Sequence, residues 1–225
     1  MATISPPFQD AISINSRYLR VKRIIDVLFT LLILIPFGII VIIVAVMIRL
    51  DSEGPVFFRQ KRVGLNGTVF NMLKFRSMYV NVDDLAHRES IRKYMNGIPL
   101  NGKADQVNVY KLEGDSRITK VGRFLRKTSI DELPQFINVL FGDMTLVGPR
   151  PPLPYEVQEY SPRDWIRLSG KPGLTGKWQV YGRSRVPFKR MVEMDLEYLE
   201  QQSLVEDLKL IAKTLPVMLQ RRGGA

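Results

Sequence analysis

The sequence of 225 residues contains no cysteine and a single histidine, His87. The absence of cysteine excludes disulfide scaffolds, thiol nucleophiles and cysteine-based zinc sites, and a lone histidine excludes multi-histidine metal centres. Two glycine-rich phosphate-binding motifs, G-x-x-x-x-G-K-[ST] and G-x-G-x-x-G, are also absent. A chain of this length nevertheless buries a core large enough to be stable without covalent cross-links.

Negative charge is scarce, with 22 Asp and Glu against 33 Lys and Arg, so the formal net charge is +11. An excess of positive charge indicates an anionic partner, which here means nucleic acid, a lipid surface or a phosphorylated substrate. Composition alone does not choose among these three. With 45% hydrophobic and 24% charged residues, the chain is not of the collagen-like or wholly disordered class.

Charge is missing altogether from the 22 residues 27–48. A helix of that length would be about 33 Å long, whereas the hydrocarbon core of a bilayer is about 30 Å thick. A buried core helix is the alternative, but such helices rarely remain uncharged on every face over this length. The segment is longer than the apolar region of a signal peptide. We therefore predict that it is inserted in a membrane.

Pro36 lies near the middle of this segment, and Gly38 follows it. A proline inside a helix removes one backbone hydrogen bond and kinks the helix. Basic residues flank the segment on both sides: Arg17, Arg20, Lys22 and Arg23 before it, and Arg49, Arg59, Lys61 and Arg62 after it. The positive-inside rule therefore cannot orient a single span. We prefer a re-entrant hairpin that bends at Pro36 over a straight span.

The remaining sequence predicts an α+β fold that is mostly helical, with a small β-hairpin and amphipathic helices in a compact, membrane-associated catalytic domain. We divide the chain into an N-terminal tail (1–16), a membrane-inserted helix (17–50) and a cytoplasmic catalytic domain (51–225). The hairpin strands are predicted at 56–63 and 68–75, because an Asn-Gly pair lies between two β-rich runs. In the C-terminal helix, one apolar face packs either on the domain or on an anionic leaflet. Its members are Leu204, Leu208, Ile211 and Leu215.

Asp131 and Glu132 form the acidic pair of greatest chemical interest. Adjacent side chains diverge by about 100° within a helix, so the pair could act on one atom only near a helix end. Ser129 and Glu132 fit a capping box, although a cap at Asp131 would suit Pro134 better. The alternative to a catalytic role is that both acids only decorate the start of a helix.

Several basic residues lie in irregular, Gly- or Pro-containing segments, where binding residues concentrate. They are Lys74, Arg76, Arg123, Arg126, Lys127, Arg150 and Arg183. Any one of them, taken alone, is more often a solvated surface charge. Guanidinium groups nevertheless suit phosphate oxygens, and Mg²⁺ combines one or two carboxylates with phosphate oxygens. As a group, these residues and the acidic pair would suit a magnesium-bound diphosphate.

Four long motifs occur in one order: KFRSM (74–78), DSRITKVGRFLRKTSIDELPQ (115–135), NVLFGDMTLVGPRP (138–151) and KPGLTGKWQVYGR (171–183). By these motifs, over nearly the whole chain, the sequence resembles the bacterial sugar transferases, which are monotopic polyprenyl-phosphate phosphoglycosyl transferases. The resemblance implies transfer of sugar-1-phosphate from a UDP-sugar, a UDP-hexose by our preference, to undecaprenyl phosphate. UMP would be released in the first membrane step of glycan biosynthesis, at the cytoplasmic face of the bacterial inner membrane.

The resemblance also implies residue roles. Asp131 would be the nucleophile that forms a phosphoaspartyl intermediate, Glu132 would help to hold Mg²⁺ with it, and Arg126 would bind phosphate. Other basic motif positions, with roles on phosphate or nucleotide, are Lys74, Arg150 and Arg183. The family's membrane helix breaks at a proline, but this chain has Ile35 before Pro36 where many members have serine.

Two further features bear on specificity and assembly. The segment 79–114 is longer than in minimal members and is a candidate for sugar selection. Expected partners are the UDP-sugar, the polyprenyl phosphate and membrane lipids, with no nucleic acid and with a homodimer as a candidate assembly. The alternative function is a non-catalytic, membrane-anchored basic module that binds anionic lipid or nucleic acid, although no nucleic-acid-binding motif is present.

Overall fold

The computed structural model describes residues 3–4, 15–80, 85–98, 115–183 and 186–219. The predicted class is confirmed in these residues, which form a mostly helical α+β fold with two small sheets. The helices are α1 (Ser16–Asp51), α2 (Leu85–Met95), α3 (Lys120–Thr128), α4 (Gln135–Phe141), α5 (Pro154–Gln158), α6 (Pro162–Trp165), α7 (Lys177–Tyr181), α8 (Phe188–Gln201) and α9 (Leu204–Leu219). The strands are β1 (Phe57–Val63), β2 (Val69–Phe75), β3 (Thr145–Val147) and β4 (Gly173–Thr175), and 3₁₀ turns occupy Leu65–Gly67, Ile130–Glu132 and Ile166–Ser169.

Helix α1 contains the uncharged segment and is continuous over 36 residues. Asn15 caps its start, because the side chain accepts hydrogen bonds from the backbone N–H groups of Arg17 and Tyr18. Pro36 lies inside the helix and does not end it. The break predicted at Pro36 is therefore not observed. Proline has no backbone N–H group, so one helical hydrogen bond is absent there, but the helix continues past it. A re-entrant path of the helix stays a prediction.

One face of α1 is buried along most of its length. The buried side chains recur every four or seven residues and are Lys22, Asp26, Thr30, Phe37, Val44 and Ile48. The other faces are apolar and open, with Leu32 66% and Ile35 79% exposed. Within the described residues, α1 is the one helix whose length and composition would allow it to cross a membrane, and 17% of its most apolar window is buried.

Strands β1 and β2 form the predicted antiparallel hairpin, with Val63 opposite Val69 and Phe57 opposite Phe75. The turn needs the left-handed backbone region at Asn66 (φ 53°) and Gly67 (φ 79°), which these residue types adopt most easily. The predicted hairpin is thus confirmed, with its strands one residue shorter at their first positions.

Strands β3 and β4 form a short parallel pair. Gly148 and Gly176 follow the two strands, and the backbones approach closely there. A Cβ atom on Gly148 would lie 2.3 Å from the carbonyl oxygen of Lys171, and one on Gly176 would lie 2.2 Å from that of Gly148. The loop that leaves β3 carries Arg150, so glycine permits the packing that places it, whereas Arg183 follows α7 farther along the chain.

Helix α9 turns part of its predicted apolar face away from the domain, so packing of that face on an anionic leaflet stays a prediction. Leu208 is 60% exposed, whereas Leu210 and Asp207 are buried. The reason is electrostatic, since Asp207 forms a 2.7 Å ion pair with Lys22 of α1 and accepts a hydrogen bond from Tyr198 at 2.6 Å. The polar network turns Asp207 inward and leaves Leu208 outward. The side chain of Leu215 lies outside the described residues.

Candidate active site

The Asp131–Glu132 pair lies in the 3₁₀ turn between α3 and α4. Helix α3 ends because Ser129 adopts the left-handed conformation, with φ 57°. Neither predicted cap is present: the Ser129 side chain makes no capping hydrogen bond, and Pro134, not Asp131, occupies the N-cap position of α4. The left-handed residue redirects the chain, so the acids occupy a separate turn instead of the first turn of a helix.

Asp131 is buried, with only 6% of its surface exposed. Its neighbours in the turn, Ile130 and Leu133, pack on the apolar cluster that contains Phe75 and Leu125. Burial raises the pKa of Asp131 to about 6, Lys74 and Arg126 oppose this rise, and the charge of Glu132 adds to it. The carboxyl group can therefore gain or lose a proton close to neutral pH, as a reactive carboxylate in a protein site does.

Lys74 reaches this turn from strand β2. Its Nζ donates to Glu132 Oε1 at 3.1 Å, and the Glu132 side chain remains 51% exposed. One carboxylate of the pair is thus buried while the other faces solvent beside a cation. Together with Arg126 in the last turn of α3, Lys74 makes the surroundings of Asp131 positive, as expected of a site that receives phosphate groups.

Arg76 is not brought to this group. Its Nη2 atom donates to the carbonyl oxygens of Ile48 and Ser52 at 3.3 and 2.6 Å and to Ser52 Oγ at 2.9 Å. The guanidinium is buried at the end of α1, where it donates to the carbonyl of the C-cap residue Ser52 and adds a second bond to that of Ile48. This placement supports a structural role and not the predicted phosphate contact.

Arg150 belongs to a second group, in the loop after β3. Its guanidinium pairs with Glu156 at 3.1 Å and lies 5.8 Å from the ring centre of Trp178. A residue of β1 fixes the position of this loop, because Arg62 Nη1 donates to the carbonyl oxygen of Pro151 at 2.9 Å. Since Arg62 lies opposite Phe70, four residues before Lys74, it is roughly 14 Å from Lys74 along the hairpin at about 3.4 Å per residue.

Arg183 lies in the same neighbourhood as Arg150. Its Nε donates to the carbonyl of Gln179 at 3.0 Å, and its φ of 50° is left-handed. The preceding Gly182 approaches Trp178, because a Cβ there would lie 2.8 Å from Trp178 Cδ1. The predicted basic residues therefore divide into Lys74 and Arg126 at the acidic turn, Arg150 and Arg183 near Trp178, and Arg76 apart from both.

Sequence reasoning missed the residues that fix the second group. Glu156 is 3% exposed and binds Arg150, and the fully buried Arg167 pairs with Asp195. Arg167 also donates to the carbonyl of Arg150 at 3.1 Å. The proximity of Glu156 to Arg150 in sequence was an available signal. The other pair joins residues 28 apart, and no local pattern marks such a contact.

The acidic turn fits a magnesium ion that is bound together with a diphosphate. The described residues contain no group of three or more acidic or histidine side chains that could hold a metal by themselves. Asp131 and Glu132 nevertheless offer two adjacent carboxylates, and Mg²⁺ commonly takes one or two carboxylates, with water and phosphate oxygens completing its shell. These donors match an ion that arrives with its substrate.

Comparison with known protein families matches residues 17–221 to the family described as bacterial sugar transferase. The chain belongs to this family. As a bacterial sugar transferase, it shares 43% identity over 208 residues with the galactosyl transferase CpsE of Streptococcus agalactiae, which covers 92% of this chain and 44% of that protein. The undecaprenyl-phosphate galactose phosphotransferase of Salmonella typhimurium is 40% identical over 210 residues, covering 93% and 42%.

A third relative of the sugar transferase is similar over more of its own length. The UDP-glucose:undecaprenyl-phosphate glucose-1-phosphate transferase of Caulobacter vibrioides is 37% identical over 208 residues, which is 88% of this chain and 69% of that protein. The chain thus spans less than half the length of the first two relatives and about two thirds of the third.

Proposed function

We propose that this sugar transferase transfers hexose-1-phosphate from a UDP-hexose to undecaprenyl phosphate and releases UMP. The observation that carries the proposal is the buried Asp131, whose pKa is raised to about 6, beside the Lys74–Glu132 pair in a member of this family. The names of the relatives, which specify galactose and glucose and undecaprenyl phosphate, support the same substrates.

In the first step, a carboxylate oxygen of Asp131 attacks the sugar-bearing phosphorus of the UDP-hexose. A bond forms between that oxygen and phosphorus, and the bond from phosphorus to the bridging oxygen breaks. UMP leaves with the electron pair. An acyl phosphate that carries the sugar remains on Asp131, so one difficult displacement is divided into two.

In the second step, a phosphate oxygen of undecaprenyl phosphate attacks the same phosphorus. The bond to Asp131 breaks and restores the carboxylate, while the lipid acquires a diphosphate bridge to the sugar. Since UMP leaves before the lipid reacts, the kinetics should be ping-pong. Arg150 and Arg183 lie with the second group near Trp178, and we assign them to the nucleotide end of the substrate.

The charges around Asp131 suit this sequence of steps. Burial weakens solvation of its carboxylate, and Lys74 and Arg126 favour the ionised form that attacks. The same two cations would stabilise negative charge on the transferring phosphoryl group. Mg²⁺ bound by Asp131 and Glu132 with the diphosphate would neutralise further phosphate charge.

We place the protein on the cytoplasmic face of the inner membrane, with α1 inserted. Contacts at both ends of α1 support an insertion that does not cross the bilayer. Lys22 binds Asp207 at one end, and Ile48 packs in a cluster with Phe75 at the other. Both ends of the helix therefore contact the same domain, which a helix that crosses the bilayer could do only if the domain reached both sides.

The proposal is tested by incubating the purified protein with undecaprenyl phosphate, Mg²⁺ and either UDP-galactose or UDP-glucose. UMP should form over many turnovers only when all components are present, and without lipid at most one UMP should form per protein molecule. Release of UDP instead would show that the phosphate is not transferred, and release of neither nucleotide with any UDP-hexose would contradict the proposed donor. Mass spectrometry of a reaction without lipid should find the mass of a hexose phosphate added to the Asp131 peptide.

A further inference from the structure

Two cationic side chains meet at the C-terminal end of α4, away from the acidic turn. Arg23 of α1 donates from Nη1 to the carbonyl of Val139 at 2.5 Å and from Nη2 to that of Leu140 at 2.7 Å. A cation is favourable at this position because the last carbonyls of a helix lack helical partners and carry partial negative charge. Only two of the five guanidinium N–H donors are needed for these bonds.

Lys171 lies beside the same point. A Cβ atom on Gly142 would be 3.5 Å from Arg23 Nη2 and 3.8 Å from Lys171 Nζ, so both groups border one small space. Among the residues described, none forms a hydrogen bond or ion pair with the Lys171 ammonium group. Burial, and then the charge of Arg23, lower the pKa of Lys171.

The nearby carboxylates are already engaged. Asp26 accepts hydrogen bonds from Thr145 Oγ1 at 2.5 Å and from the backbone N–H of Leu146 at 3.1 Å. Asp143 accepts one from Asn138 Nδ2 at 3.2 Å. Each of them raises the pKa of Lys171 by less than Arg23 lowers it. The space beside Gly142 is therefore bordered by two cations, while the hydrogen bonds of the nearest carboxylates go to other groups.

The surface around this space is apolar. Phe141, which directly precedes Gly142, is 78% exposed, and Ile24 and Leu28 on α1 are 58% and 62% exposed. Exposed apolar side chains next to cations are typical of a surface at the boundary between acyl chains and lipid head groups. The apolar surface is also continuous with the exposed faces of α1.

We propose that Arg23 and Lys171 form a binding site for the phosphate group of an anionic bilayer phospholipid. The proposal rests on the membrane attachment given under the proposed function. The acyl chains would lie against Phe141 and the exposed side of α1, and the phosphate would lie between the two cations. This contact fixes the depth and orientation of α4 and therefore of the acidic turn that precedes it.

The position of the site argues against the reacting phosphate of the carrier lipid. Asp131 precedes α4, whereas Gly142 follows it. The seven residues of α4 separate the two ends by roughly 10 Å at about 1.5 Å per residue. A phosphate held at Lys171 therefore cannot also receive the sugar phosphate from Asp131.

Lysine acylation of the full chain in nanodiscs tests this site. Discs of phosphatidylcholine are compared with discs that also contain phosphatidylglycerol, and mass spectrometry gives the labelling rate of each lysine. We expect labelling of Lys171 to slow about fivefold with phosphatidylglycerol, since one cation near an anionic surface contributes about 1 kcal/mol. Exposed Lys189 at the start of α8 is the control and should change little.

A second measurement uses a Lys171 variant. An Arg23 variant would also lose the hydrogen bonds to α4 and could fail to fold. Lys171→Gln removes a side chain without a partner among the described residues, and native mass spectrometry should then show fewer phosphatidylglycerol molecules bound. Equal labelling of Lys171 in both discs, or equal slowing of Lys189, would overturn the proposal.

A third disc containing phosphatidylcholine and a few per cent undecaprenyl phosphate separates the two lipid sources. Protection of Lys171 only in this disc would assign the site to the carrier and overturn the proposal. UMP release is measured in the same discs, so a failed lipid site is distinguishable from a failed activity.

Discussion

Lys74 Nζ lies 3.1 Å from Glu132 Oε1, although 58 residues separate the two in the chain. The hairpin carries Lys74 to the turn that follows α3, so that one cation faces both acidic side chains. Glu132 takes the hydrogen bond, while Asp131 receives only the electrostatic effect of Lys74. Among the described residues, no side chain forms a hydrogen bond or ion pair with Asp131 that would compete with an incoming phosphate group.

Replacement of Asp131 should separate activity from stability. Asp131→Asn is expected to abolish UMP release. It should also stabilise the fold above pH 6, because burial raises the folded-state pKa to about 6 from 3.8 and the ionised carboxyl then costs stability. The gain, roughly 3 kcal/mol at pH 8, should shrink as the pH falls below 6 and disappear below about pH 3, where both states are protonated. Thermal unfolding in detergent at pH 4 and pH 8 measures it.

Asp195→Asn is the matched control for this experiment. Asp195 is also buried, but it forms an ion pair with Arg167, so its replacement leaves a buried cation without a partner. Loss of one partner from such a pair costs about 3–5 kcal/mol. Destabilisation by Asp131→Asn at pH 8, similar to that of Asp195→Asn, would contradict the described environment of Asp131.

The pH dependence of kcat/KM should show the ionisation of Asp131. Activity is expected to rise with pH through an apparent pKa of about 6 and then level off. Lys74→Met should move this rise to higher pH by about one unit, because Lys74 favours the ionised form. Lys74→Arg keeps the charge and should keep the profile. A Lys74→Met profile that falls in height without moving would mean that Lys74 acts only on the substrate.

The sequence was informative where the determinants are local. The hairpin follows from alternating strands around Asn66 and Gly67, and the long helix follows from an uncharged segment. The acidic pair was recognisable, but its turn was not, because a left-handed residue at the end of a helix is usually glycine and here it is Ser129. The inward position of Asp207 likewise depends on Lys22, 185 residues away. Such contacts leave no periodic pattern in either segment.

Arg76 and Arg126 should have opposite phenotypes although both are arginines in motifs of the family. Arg76→Ala is expected to lower the free energy of unfolding by about 1–3 kcal/mol, because it removes the bonds of the buried guanidinium to the carbonyl and hydroxyl oxygens of Ser52. The folded fraction should retain UMP release. Arg126→Ala should reduce kcat/KM while leaving the unfolding temperature nearly unchanged. If Arg76→Ala instead kept normal stability and lost activity, the result would support the phosphate contact predicted for Arg76.

The membrane topology of α1 can be determined by labelling single introduced cysteines, because the sequence contains no cysteine of its own. Arg17→Cys and Glu53→Cys are exposed positions that flank the helix. Both ends of α1 contact the same domain, through Lys22 at one end and Ile48 at the other, so both cysteines should lie on one side of the membrane. A membrane-impermeant maleimide should then leave both unlabelled in intact cells and label both after lysis. Labelling of one cysteine alone in intact cells would establish a span and would require the contacts of α1 with the domain to break in the membrane.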